Sequence, residues 1–342
     1  MRSSSPLRSR VAAVIRASAV TVTLTGCHGV MSALDPASHE SGMIASITWW
    51  LVGASAVIYA VVCAAMVAAI SRHRDRSASS VDLSAPSERM IVWYGAIIPG
   101  VVLVALFVLT LTAMHRYPAT ISRRAVTYHV TAHQWWWDVS WIDASSGRAM
   151  HSANEIHVPV GAPVRIILTT DDVIHTFWVP QLQGKIDLIP GDTTEIRFTA
   201  LHSGAYRGQC AEFCGVQHAH MAFVVVAEPA DSFANWIASE EAPAAMPSDS
   251  ARLVAQQLVV NGPCATCHTI RGTSASGAIG PDLTHIGSRR MLAAGELPNN
   301  IGTMEAWIAN AQSLKPGVAM PSMRVFSGGQ LRAVAAYLEG LR

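Results

Sequence analysis

Three kinds of hydrophobic patterning succeed one another along the chain. The first is continuous: Met43–Ile70 and Met90–Met114 contain no Asp, Glu, Lys or Arg. Each run exceeds the roughly 20 apolar residues that a helix needs to cross a bilayer, so both predict transmembrane helices. Trp49, Trp50, Trp93 and Tyr94 lie near the ends of the runs, where interfacial aromatics belong. Pro99 and Gly100 predict a kink in the second helix. The 71–89 connection carries Arg72, Arg74, Arg76 and Arg89 against Asp75, Asp82 and Glu88. The positive-inside rule makes that loop cytoplasmic and puts residues 27–42 and everything after Met114 on the other side.

The second pattern is short and β-like. Val126–Val130 and Val164–Leu168 gather β-branched residues, Thr194–Phe198 alternates, and Phe223–Val226 is an apolar strand. Pro159, Gly161, Pro163, Gly184, Pro190, Gly191 and Gly204 punctuate them. Short strands with frequent turns predict an all-β sandwich over residues 120–228. Residues 229–250, rich in Ala, Pro, Ser and acids, predict a linker. The third pattern is helical. Arg252–Val260 is amphipathic, and Gln330–Leu341 sets Leu331, Val334, Ala335 and Leu338 on one face. A small all-α domain over 251–342 follows.

Composition narrows the function. Of 342 residues, 51% are hydrophobic and 14% charged, and the net charge is +1. A near-neutral chain lacks the basic bias of a nucleic-acid binder. The N-terminus carries Arg2, Arg8, Arg10 and Arg16 without an acid, then an apolar run from Ala17 to Leu24-Thr25-Gly26-Cys27. Residues 1–26 therefore predict a secretory signal. Its ending resembles a bacterial lipobox, which would make Cys27 a lipidation site.

Six cysteines carry most of the chemistry. Cys210, Cys214, His218 and Met221 fall within twelve residues, and His175 stands upstream beside a strand end. Thiolate, imidazole and thioether make a soft site that suits copper, whereas hard cations want carboxylates. A blue-copper site needs one Cys. A second, four residues on, lets two sulfurs bridge two metal ions and spread one electron over both. A Cys210–Cys214 disulfide, a structural zinc site and a chance core cluster remain alternatives. Further on, Cys264-Ala-Thr-Cys267-His268 is the c-type haem attachment signature. Its two thiols meet the haem vinyl groups and its His reaches the iron. Met320 and Met323 each offer a thioether for the opposite face. Cys63 lies mid-membrane as a small apolar residue.

The string Cys210-Ala-Glu-Phe-Cys214-Gly-Val-Gln-His218-Ala-His-Met221, with His175-Thr-Phe-Trp-Val-Pro180 and the helix pair, resembles cytochrome c oxidase subunit II. The resemblance spans roughly residues 40–228. It implies a cupredoxin-like Greek-key sandwich holding a binuclear copper A centre. The implied ligands are His175, Cys210, Cys214, His218, Met221 and the backbone carbonyl of Glu212. The Glu212 carboxylate would lie near a magnesium ion shared with subunit I, and Asp172 would orient the loop carrying His175. Trp135, in His133-Gln-Trp-Trp-Trp137, matches the residue at which electrons enter in the family. The alternative is that Trp135 and Trp137 share a strand face and pack. The family often places a Glu three residues before the Trp that opens the second helix. Met90 stands there, with Glu88 two residues earlier.

The segments Gly280–Arg289 and Ala293–Asn299 resemble a class I cytochrome c domain, in particular those fused to subunit II in bacterial oxidases. In that resemblance Met320 holds the axial Met-Pro position. The implied protein is an electron-input subunit in a bacterial cell membrane, its copper and haem domains on the periplasmic side. Its implied partners are subunit I, subunit III and a cytochrome c donor. A copper subunit of a nitric oxide reductase, or a membrane-anchored copper-binding redox module without a catalytic partner, remains the alternative.

Overall fold

The computed structural model describes residues 28–74, 88–116, 125–142 and 146–342. The expected signal segment and Cys27 lie outside them. The chain divides into two units, Met43–Ser122 and a second made of Met1–Gly42 with Arg123–Arg342.

In the first unit, helix α1 (His39–Arg74) runs through the first apolar stretch. The second stretch opens with α2 (Glu88–Val92), widens into a π-turn over Trp93–Ile97, and continues as α3 (Ile98–Arg116). Both stretches are long and apolar enough to cross a membrane. Ile58, Val61, Val104 and Phe107 are exposed, and apolar surface of this density needs lipid or protein cover. The distortion expected at Pro99 takes the form of the π-turn just before it. Proline lacks an N–H and crowds the carbonyl one turn back, and a wider turn relieves that crowding.

The second unit begins with a segment stitched onto the sandwich. Ala37 N donates to Gln181 O, Leu201 N donates to Ala37 O, and Thr199 N donates to the Glu40 carboxylate. The sandwich has two five-stranded sheets. One orders β3 (Ala149–Ala153), β2 (Trp136–Ile142), β1 (Val126–His133), β5 (Val164–Thr170) and β8 (Thr194–Phe198). The other orders β4 (Glu155–Pro159), β10 (Ala222–Glu228), β9 (Gly204–Cys210), β6 (His175–Trp178) and β7 (Ile186–Leu188). Strand β5 shows why the pattern folds this way: Val164, Ile166, Leu168 and Thr170 face inward while the residues between them are half-buried. Tyr128, Val130, Trp137, Val158, Phe177 and Val225 complete the core. Each such side chain contributes about 1.5–3 kcal/mol by leaving water.

The expected linker is only partly a linker. Ala230–Glu241 forms α4, and Trp236 stacks on His157 at 4.2 Å and packs against Trp141 at 5.2 Å. Phe233, Trp236 and Ile237 share a helical face and are each half-buried. The C-terminal domain packs α5 (Ser250–Val260), α6 (Ile301–Leu314) and α7 (Gly328–Glu339) around Ala255, Val259, Met304, Ile308, Val334 and Leu338. Asp249 caps α5 by accepting from Arg252 N. Ser327 and Gln330 form a capping box on α7.

Candidate metal centres

Sheet register builds the first centre. Strands β6 and β9 pair with Phe177 opposite Cys210, which brings the start of β6, His175, beside the end of β9. The chain then loops from Ala211 to Met221 before joining β10. Cys210 N donates to Met221 O at 2.9 Å, which closes the base of the loop, and Ala211 N donates to Thr176 O at 3.1 Å, which ties its start to β6.

Inside it, Cys210 Sγ and Cys214 Sγ stand 3.7 Å apart. A disulfide needs about 2.05 Å, so the two are free sulfurs facing one another. His175 Nδ1 lies 3.7 Å from Cys210 Sγ, and His218 Nδ1 lies 3.6 Å from Cys214 Sγ. Met221 Sδ is 3.9 Å from Cys214 Sγ, and the Glu212 carbonyl is 3.3 Å from Cys210 Sγ. The ligand atoms of His175, Cys210 and Cys214 all lie within 4.8 Å of one another, and the three residues are buried. Two sulfurs flanked symmetrically by two imidazoles, a thioether and a carbonyl form a soft donor set that fits a pair of copper ions. The Cys214 thiol, donating to Cys210, pulls the Cys210 pKa far down, and the resulting thiolate pushes Cys214 up.

His175 is fully buried. Its Nε2 pairs with Asp172 Oδ1 at 2.8 Å, leaving Nδ1 toward the sulfurs. Burial opposes its charge, but Cys210 and Asp172 outweigh burial and raise its pKa. Asp172 also accepts from Gln134 N and Val173 N, each at 2.6 Å. Although burial favours its neutral form, these bonds lower its pKa. The Glu212 side chain is exposed.

Trp135 occupies the turn between β1 and β2 rather than a strand face shared with Trp137. It is 8% exposed, and its Nε1 donates to Cys214 O at 2.9 Å. Trp137 sits in the core, edge-on to Phe177, Phe223 and His175.

The second centre is a cavity of about 410 Å³, within the range of cofactor pockets. Cys264, Cys267 and His268 line it, with Met320 and Met323 among the other lining residues. The His268 Nδ1 is 2.7 Å from Pro281 O, which directs Nε2 elsewhere. Burial lowers the His268 pKa, favouring the neutral ring a ligand needs. A Cβ on Gly280 would fall 2.7 Å from His268 Cε1, so the wall is shaped around that imidazole. Two attachment thiols, a directed imidazole and thioethers in an apolar chamber fit a haem. Trp135 and Gln134 of the sandwich line the same cavity.

Sequence reasoning did not single out Gln134, whose Nε2 donates to Cys214 O at 2.7 Å, nor Gln217 and Lys315. Of the remaining histidines, His285 Nε2 pairs with Ala242 O at 3.0 Å, and His220 pairs with Glu296 at 2.7 Å. The Glu88 side chain lies outside the described residues, so its place relative to Met90 is untouched by the structure.

Residues 140–228 match the family described as cytochrome c oxidase subunit II, periplasmic domain, and residues 254–342 match the cytochrome c family. The chain is 31% identical over 333 residues to cytochrome c oxidase subunit 2 of Alkalihalophilus pseudofirmus, covering 94% of this chain and 95% of that protein. It is 28% identical over 171 residues to cytochrome c oxidase subunit 2 of Oenothera berteroana, covering 44% and 66%. Among solved structures, the periplasmic domain of subunit II of cytochrome oxidase from Bradyrhizobium japonicum matches with TM-score 0.33 at 30% identity, covering 36% of this chain and 97% of that one.

Proposed function

Because the chain belongs to the cytochrome c oxidase subunit II family, we propose that it is the electron-input subunit of a haem–copper oxidase. In this reading it takes electrons from a cytochrome c donor through its own haem c and a binuclear copper A centre, and delivers them to the haem of subunit I. Oxygen is reduced to water in that partner, and subunit III completes the assembly. The observation that carries the reading is the position of Trp135, which borders the haem cavity and is hydrogen-bonded to the peptide of Cys214. When bound, the copper pair and the haem would supply one-electron transfer without making or breaking a bond.

This chain's residues do the rest. His175, Cys210, Cys214, His218, Met221 and the Glu212 carbonyl would hold two copper ions, with Asp172 fixing the tautomer and orientation of His175. Most of that shell is buried, so little water needs to reorganise when charge changes. Cys264 and Cys267 would anchor the haem covalently, with His268 and Met320 holding its iron. Arg289 lines the cavity and would offer a cation to a haem carboxylate. Glu212 presents one exposed carboxylate, and one carboxylate holds no magnesium by itself, so subunit I would supply the other ligands of a shared ion. The helices beginning at His39 and Glu88 would anchor the chain in the bacterial inner membrane, with both metal domains on the periplasmic side.

The test is assembly in native membranes. Cells carrying the wild-type chain as their sole subunit II should oxidise reduced cytochrome c with oxygen uptake. Cys214→Ser should abolish that activity while haem stays attached to the chain. Oxygen uptake unaffected by Cys214→Ser contradicts the reading.

A further inference from the structure

Between α6 and the proposed axial methionine runs the loop Lys315-Pro-Gly-Val-Ala-Met320. Its first three residues make contact after contact with the sandwich. Lys315, 2% exposed, donates from Nζ to Trp135 O at 2.9 Å and to Ala293 O at 3.0 Å. Among the described residues it forms no salt bridge. Pro316 O accepts from Gln217 Nε2 at 2.8 Å, and Gln217 lies between the proposed ligands Cys214 and His218. Gly317, at φ +88°, lays its backbone over the sandwich. A Cβ there would sit 3.4 Å from Val216 Cγ2 and 3.5 Å from the Trp135 ring.

A buried ammonium is costly unless its donors are satisfied, and an apolar side chain would fill the same space without that cost. What the ammonium adds is position, because it ties together two carbonyls from different domains. The chain is shaped to meet it. Ala293, Ala294 and Gly295 follow one another at φ 53°, 60° and 86°, a left-handed run that alanines adopt only against their preference. The carbonyl of Ala293 accepts from Lys315, and the carbonyl of Ala294 accepts from Ala222 N at 2.9 Å, at the end of the copper loop.

We propose that Lys315 and Gln217 are positioning residues that clasp the methionine loop of the haem domain onto Trp135 and the copper-ligand loop. The clasp fixes the two centres relative to one another and closes this face to any free donor protein. It rests on the reading of the chain as a haem-to-copper conduit. The transfer it serves moves one electron, ferrous haem becoming ferric as the oxidised copper pair is reduced, with no proton exchanged.

The test uses the full chain, purified with haem and copper bound. Hydrogen–deuterium exchange is followed at residues 134–137, 214–218 and 315–320 in wild type, Lys315→Met, Lys315→Arg and Gln217→Leu. Lys315→Met leaves the carbonyls of Trp135 and Ala293 without their donor, which shifts the docked equilibrium by about tenfold or more. Lys315→Met should therefore accelerate exchange about tenfold in both loops, and Gln217→Leu should act in the same direction. Lys315→Arg should exchange more slowly than Lys315→Met. Flash-reduced haem should pass its electron to copper more slowly in the Met and Leu variants, while haem and copper spectra stay wild type. Exchange and transfer rates unchanged in both variants overturn the clasp, as does acceleration confined to residues 315–320. Neither result touches the reading of the chain as an electron conduit, which fails instead if wild-type chain does not load copper.

Discussion

Replacing Asp172 by Ala removes one carboxylate that holds four groups at once: His175 Nε2, Gln134 N, Val173 N and, more loosely, the Thr170 hydroxyl. The two backbone amides lie in an exposed stretch, where water takes over as acceptor, so the cost to folding is small. The cost falls on His175, which is fully buried and offers Nδ1 to the sulfurs only while Nε2 is tethered. Loss of an outer hydrogen-bond partner of a metal-binding imidazole weakens metal affinity about 10–100-fold, equivalent to about 1.4–2.8 kcal/mol. Competition against a copper chelator on the purified full chain reads this directly. Asp172→Asn keeps an oxygen for His175 but turns an NH2 toward an amide that needs an acceptor, so its loss should be intermediate. If Asp172→Ala binds copper within about twofold of wild type with the fold intact, the carboxylate does not position His175.

Two further predictions follow from the geometry. His157 lies between Glu155 at 2.9 Å and Glu228 at 2.7 Å. Burial opposes its charge, but the two carboxylates outweigh burial and raise its pKa above about 6.5. The unfolded chain releases this proton first. The contribution is therefore full below about pH 6.5 and is lost as pH rises through the folded value. Thermal unfolding scans should show stability falling across that window in wild type and a flatter slope in His157→Gln; equal slopes contradict the assignment. At the haem, Met320→Leu should abolish the methionine–iron absorption band and lower the haem potential, whereas Met323→Leu should leave the band in place. The reverse result reassigns the ligand to Met323.

Much of this molecule is legible from local chemistry. The two uncharged runs, the alternation in Thr194–Phe198, the Cys264–His268 signature and the Cys210–Met221 string are all contiguous patterns. Their physical meaning, burial or ligation, survives whatever surrounds them. What the pattern hides is long-range. Trp135 and Trp137 are spaced like strand neighbours, yet the hairpin turn at Gln134–Trp135 sends one to the domain boundary and the other into the core. Ala, Ser and Glu in 230–241 mask the helical spacing of Phe233, Trp236 and Ile237, and the ring partners of Trp236, His157 and Trp141, come from distant strands. Nothing in the local sequence marks Lys315. Only the fold reveals that its acceptors are Ala293 O and Trp135 O, the latter 180 residues away.

An electron conduit of this kind requires a two-copper centre beside a single haem on one chain. Metal analysis of the purified full chain with electron paramagnetic resonance tests it most directly. Two coppers per covalent haem iron are expected, with a signal from one unpaired electron shared over both coppers. A single copper with a blue-type spectrum, or a Cys210–Cys214 disulfide in place of copper, would contradict it.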